Sequence, residues 1–140
     1  MAIPNPKVVV VPVDFSDASF DAVKVAIELS GSASNVHVIH VIPEALSSAD
    51  YLREAIIQQG ADKALSELVE KLTELGLADV NASVEEGVPS DAIVAKASSE
   101  RAELIVIPSH SRKGIPRLFL GSVADQVLRA ATCPVLVLKR

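Results

Sequence analysis

The chain has 140 residues, 49% of them hydrophobic and 22% charged, which argues against disorder and suits one domain, residues 1–140, around one sizeable core. Its 13 basic and 18 acidic residues leave a charge of −5, against nonspecific nucleic-acid or anionic-membrane binding, and a lone Cys133 leaves no internal disulfide framework or thiolate-rich metal site. No apolar run approaches the ~20 residues of a membrane span, and MAIPNPKVVVV lacks the basic, apolar, small-residue layout of a signal peptide, so a soluble cytoplasmic protein is expected.

Apolar runs of strand length alternate with segments of helical period. KVVVVPV, Lys7 to Val13, is nearly continuous valine and predicts a central strand buried on both faces. DFSDASFDAVKVAIELSG predicts a first helix, with Ser16 or Asp17 as N-cap, Ala22, Val23, Ala26 and Ile27 on one face, and Gly31 as the stop. NVHVIHVI, Asn35 to Ile42, is the second strand. From about Ala49 to Leu75, Leu52, Ile56, Leu65, Leu68, Leu72 and Leu75 keep helical spacing, and Gly60, at ~1 kcal/mol relative to alanine, predicts a break or kink. VNASVEEG, Val80 to Gly87, alternates as a half-exposed edge strand does. Ser90 is the expected N-cap of a short third helix. ELIVI, Glu103 to Ile107, is the fourth strand; Val123, Val127 and Ala131 stripe a fourth helix; PVLVL, Pro134 to Leu138, closes the chain.

The order βαβαβαβαβ implies an open, doubly wound, five-stranded parallel sheet with helices on both faces, because parallel strands require right-handed crossovers. Covering both faces requires the winding to reverse, and the crevice at that reversal is the expected ligand site. Two strand ends carry polar chemistry: Val13-Asp14, and the connection from Ile107 to Ser122, far longer than the about 2 to 6 residues such a link needs. That connection holds Arg112, Lys113 and Arg117 without an acidic residue between them and ends in Gly121-Ser122 before the fourth helix. A helix start presents amides without intrahelical partners and partial positive charge, so a phosphate would be welcome there. The plainer reading is an ordinary N-cap.

The run IPSHSRKGIPRLFLGSVADQVLRAATCPVLVLK resembles the C-terminal signature of the universal stress proteins, through His110, Arg112, Gly114, Arg117, Gly121, Ser122, Val123 and Ala124 and then Cys133 to Val137. VVPVDFSDAS resembles the family's first strand and turn. The resemblance implies an adenine nucleotide α-hydrolase-like fold with strand order 3-2-1-4-5 and a nucleotide site on Pro12, Asp14, Val41, Ser109, Ser111, Gly121, Ser122 and Val123. In ATP-binding members the phosphate motif is G-x2-G-x9-G-[ST]; here Gly121 and Ser122 remain, but Pro108 and Ser111 occupy the first two glycine positions. Proline has no N–H to donate, and a Cβ at 111 opposes close backbone approach. Each lost charge-assisted hydrogen bond costs roughly 1.5 to 3 kcal/mol, so ATP binding is expected to be weak or lost. No metal is required.

His110 lacks a nucleophile or paired carboxylate spaced to work with it, so a structural hydrogen bond is the plainer role, as a turn or cap is for Asp14 beside a nucleoside contact. His37 and His40 point to opposite faces of one strand and cannot share a metal there. Cys133 reads as a small buried residue. The last strand is apolar on both faces yet lies at a sheet edge, so it needs a cover. The resemblance implies a homodimer through Val135 to Leu138, to which Ile115, Leu118, Phe119 and Leu120 would add apolar cover. Two functions follow: a non-enzymatic stress-response protein with a degenerate nucleotide site, acting on protein partners, or an ATP- or AMP-binding regulator or slow ATPase using Gly121-Ser122. An electron-transferring flavodoxin-like protein is disfavoured by 3% aromatic residues and no Trp.

Overall fold

The computed structural model describes residues 5–42, 50–109 and 121–139. The elements are β1 (Val9–Pro12), α1 (Asp17–Ser30), a 3-10 turn (Ala33–Asn35), β2 (Val36–Ile42), α2 (Asp50–Glu74), β3 (Asn81–Glu86), α3 (Pro89–Ser99), β4 (Leu104–Pro108), α4 (Ser122–Ala130) and β5 (Val135–Leu138). The strands form one parallel sheet in the order β3-β2-β1-β4-β5, as the resemblance implied. Most strand ends differ by a residue or two from the sequence reading; Asn35, for example, closes the 3-10 turn that leads into β2.

Alternation along the strands builds two cores. Val9, Val11 and Val13 turn to one side, where Phe20, Val23, Leu68 and Leu72 from α1 and α2 meet them. Val10, Ile39, Ile105 and Ile107 turn to the other, against Ile93 of α3 and Ala124 and Val127 of α4. Ser16 caps α1, its hydroxyl accepting the Ser19 N–H, and Gly31 ends the helix at φ 81.

Two local expectations are corrected. Gly60 does not break α2, which is continuous from Asp50 to Glu74; the glycine costs ~1 kcal/mol, while burying each of Leu68 and Leu72 contributes roughly 1.5 to 3 kcal/mol. The side chains of Leu52 and Ile56 and the residue Ala49 lie outside the described region. Ser90 is not the cap of α3. That helix starts earlier, with Val88 as N-cap and Pro89 in the first turn, where a fixed φ and a missing N–H cost nothing. The Ser90 hydroxyl, buried, instead donates to Oε1 of Gln126 at 2.7 Å and ties α3 to α4.

Candidate functional site

The sheet splits where its winding reverses. β1 follows β2 as far as Pro12↔Ile39 and β4 follows β5 as far as Pro108↔Leu138, but β1 and β4 pair only at Val9↔Leu104 and Val10↔Ile105. Proline explains the early end. The Val13 N–H donates to Ile39 O on the β2 side, and the Ser109 N–H to Leu138 O on the β5 side. Since successive residues of a strand turn their peptide groups to opposite edges, the nitrogens of Pro12 and Pro108 both face the gap between β1 and β4. Neither has a hydrogen to donate, so the next rung of the ladder cannot form.

A cavity of about 540 Å3 lies at this opening. Ile39, Ile93, Ile107 and Ala124 give it an apolar floor, Pro89 a wall, and Asp14, Ser109 and Ser122 polar points on its rim. The structure brings Pro12, Asp14, Val41, Ser109, Gly121, Ser122 and Val123 together around it. Ser111 lies outside the described residues, as do His110, Arg112, Lys113, Gly114, Ile115, Arg117, Leu118, Phe119 and Leu120.

The start of α4 is the anion-seeking part of the rim. Gly121 is its N-cap, with φ −63 and ψ 153, so there is no side-chain cap. Its own N–H is already donated to Ser109 O at 2.6 Å, and the first intrahelical bond runs from the Asp125 N–H to Gly121 O. The amides that lack a partner among the described residues are therefore those of Ser122, Val123 and Ala124, all three on the cavity lining. Apolar walls, an open sheet edge and an uncapped helix start suit a flat heterocycle carrying a phosphoryl group.

The universal stress protein family model matches residues 6–139. The chain belongs to this family. Among curated relatives, universal stress protein MJ0531 of Methanocaldococcus jannaschii is 35% identical over 96% of this chain and 82% of its own length. Universal stress protein MJ0577 of the same organism is 30% identical, covering 96% of this chain and 95% of the relative. Among solved structures, that of MJ0577 superposes with a TM-score of 0.79 at 27% identity, covering 96% of each chain. A universal stress protein solved in complex with cAMP superposes at 0.64 with 26% identity, over 96% of this chain and 97% of that one.

In this universal stress protein the β1–α1 turn holds the opposite rim. Oδ1 of Asp14 accepts the Ser16 N–H at 3.0 Å, so the turn role is present, and the Asp14 N–H donates to the Ser19 hydroxyl at 3.3 Å. Phe15 follows at φ 66, left-handed backbone that an aromatic residue rarely adopts. Its ring sits edge-on to His40, centroids 4.9 Å apart, and to Phe20 at 6.1 Å. His40 Nδ1 is 2.8 Å from Val13 O and pins the end of β1 to β2. The sequence reading did not find this cluster; Phe15 beside Asp14 gave no local sign of it.

His37, on the other face of β2, lies 3.8 Å from Glu100, which also pairs with Lys96 at 3.2 Å. Among the described residues no group of three or more His, Cys, Asp or Glu is arranged to hold a metal. Cys133 packs at the edge of the α3/α4 core, and burial pushes its thiol above the ordinary range. No helix among the described residues is long and apolar enough to cross a membrane.

Proposed function

We propose that this universal stress protein is a non-catalytic, homodimeric stress-response regulator of the cytoplasm, residues 1–140 forming one domain, with a partial nucleotide site in the β1/β4 crevice. It acts through protein partners, and the site holds a nucleotide by its base and one phosphoryl group. One observation carries the reading: the crevice is bordered by two prolines without donors, while the three amides at the start of α4 have no partner among the described residues. Pro108 withholds an amide that the family's glycine motif would supply, which favours a weak site over a tight one for ATP. The relative crystallised with cAMP supports an adenine ligand. Hydrolysis is the poorer reading, since the ionisable side chains on the described lining are Asp14 and His40, and each is hydrogen-bonded within the fold.

Thermal shift with millimolar AMP, cAMP, ADP and ATP tests the site. A ligand at 100 times its Kd stabilises by about 2.7 kcal/mol, so AMP or cAMP should raise Tm clearly and ATP no further. An ATP shift well above the AMP shift would refute the partial-site reading.

The dimer rests on β5, an apolar edge whose residues Val135 to Leu138 are all partly exposed. Ile105 donates to Pro134 O and Ser109 to Leu138 O, so Pro134, Leu136 and Leu138 face β4 while Val135 and Val137 turn their peptide groups outward. Val137→Pro should remove an outward donor without removing a rung to β4, and analytical ultracentrifugation should show monomer in place of dimer. A dimer of unchanged affinity in this variant would exclude β5 as the pairing edge.

A further inference from the structure

The two edges of the sheet differ in charge. β5, VLVL, carries no ionisable residue, whereas β3, NASVEE, ends in two carboxylates. β3 pairs with β2 alone. Because the Gly87 N–H donates to Ile42 O, alternation gives the peptide groups of Ser83 and Glu85 to β2. Those of Ala82 and Val84 turn outward, where they have no partner among the described residues. Beside this edge runs a groove. α3 sends Ile93 and Ala97 into the core with Val10, Ile39 and Ile105, so it lies mainly over β1 and β2 and leaves β3 half covered. A cavity of about 490 Å3 opens between the end of β3 and the flank of α3. Val88, Ala92 and Ala95 give it apolar lining, and Glu85 and Asp91 give it exposed carboxylates. The cation among the described lining residues, Lys96, already pairs with Glu100 at 3.2 Å. Register with Ile39 turns Ser83 to this same face, and its Oγ is the buried side-chain polar atom left without a partner among the described residues.

We infer that the β3 edge is a docking site for an extended segment of another protein, alternating basic and apolar residues, which adds a further strand to the sheet. This gives a chemistry to the protein partner of the regulator proposed above and does not depend on the nucleotide. An unpaired edge is a template for another strand, and charge on it decides which strands are admitted. NASVEE carries no cation, so a second copy of β3 would only add negative charge to the groove. A segment with lysine or arginine at alternate positions would set them toward Glu85 and Asp91. Its other side chains would fall on the opposite face, beside Ala82 and Val84, which the core on the α2 side buries only in part. Apolar residues there extend that core. Ser83 gains as well. In an added antiparallel strand the residue opposite it has its Cβ about 4.5 to 5.5 Å away, near enough for a polar side chain to supply the bond that the fold withholds.

The test is fluorescence polarisation of the full chain with a labelled, end-blocked peptide, KVKVKVK, and with EVEVEVE as its charge-reversed counterpart. The lysine peptide should bind and the glutamate peptide should not. Glu85→Lys combined with Asp91→Lys should weaken binding about tenfold or more, as two exposed ion pairs become repulsive. The same change of charge at Glu67 and Glu70, exposed on α2, should leave affinity within a few fold of the parent. Strand pairing is read with two further lysine peptides, one N-methylated at every valine and one at every lysine. Only one edge of the peptide can pair with β3, so one of the two should lose binding and the other keep it. Equal affinity for these two peptides would overturn the added strand. An equal fall for the α2 and groove variants would reduce the contact to net charge and overturn the docking site, and a parent that ignores KVKVKVK at millimolar concentration would do the same. The rise in Tm with AMP should be alike in the parent and the groove variant, so the nucleotide reading stands or falls separately.

Discussion

Two helices begin at the same end of the sheet, on either side of the crevice, and they begin differently. The start of α1 is closed. Ser16 Oγ accepts the Ser19 N–H, Asp14 Oδ1 accepts the Ser16 N–H, the Ser19 hydroxyl donates to Ser16 O, and Asp17 places a carboxylate in the first turn. The start of α4 is open. Its N-cap is a glycine without a side chain, and the three residues that follow, whose amides have no partner among the described residues, line a cavity. Both helices have the same electrostatic need, so the difference separates an end that the fold satisfies by itself from one that, in the function proposed above, a ligand would serve. Nothing in the backbone requires glycine at 121, because φ −63 is open to any residue. What glycine provides there is the absence of a competing side chain.

Closing the open start should therefore have the larger effect. In Gly121→Asp the new carboxylate can accept the amide of Val123 or Ala124, as Ser16 does for Ser19, and it puts negative charge where the phosphoryl group would bind. The free protein should be as stable as the parent or slightly more so, since glycine and aspartate differ by only a few tenths of a kcal/mol or more at an N-cap. AMP affinity should fall by about a hundredfold or more, as an attractive contact becomes a repulsive one. Unchanged AMP binding in this variant would mean that the nucleotide does not use the start of α4.

The two helix starts also show where sequence reasoning reaches and where it stops. Ser16 and Gly31 could be read as the limits of α1 because capping is local: the residue and the amide it serves are three positions apart. The strand order needed the family resemblance, and the strands themselves followed from valine runs that only a doubly covered sheet buries. Ser90 misled because a polar residue near a helix start suggests a cap, whereas Pro89 had already set the first turn and the hydroxyl found Gln126 on another helix. The crevice was legible in outline only. Pro108 could be seen as a missing donor, but that Pro12 faces the same gap depends on the register of β1 against β2, which no local pattern encodes. The same holds for Phe15. Its left-handed backbone costs of order 1 to 3 kcal/mol and persists because its ring packs against His40 and Phe20, contacts set by tertiary structure.

Opening the closed start gives the smaller effect and the sharper control. Ser16→Ala removes the acceptor for the Ser19 N–H but leaves the Asp14 bond to the backbone N–H of residue 16 and both bonds of the Ser19 hydroxyl, so the turn keeps three of these four side-chain ties. Loss of an N-cap serine costs about 1 kcal/mol, and in a domain of this size that lowers Tm by roughly 3 to 5 °C. Because, among the described residues, the turn at Asp14 lines the crevice and no residue of α1 does, AMP affinity should stay within a few fold of the parent once measured well below the melting transition. A fall comparable to that of Gly121→Asp would show that the α1 start, and not the uncapped α4 start, carries the anion. The cap on α1 would then be a device for holding the Asp14 turn against the ligand, and the asymmetry between the two helices would mean the reverse of what is argued here.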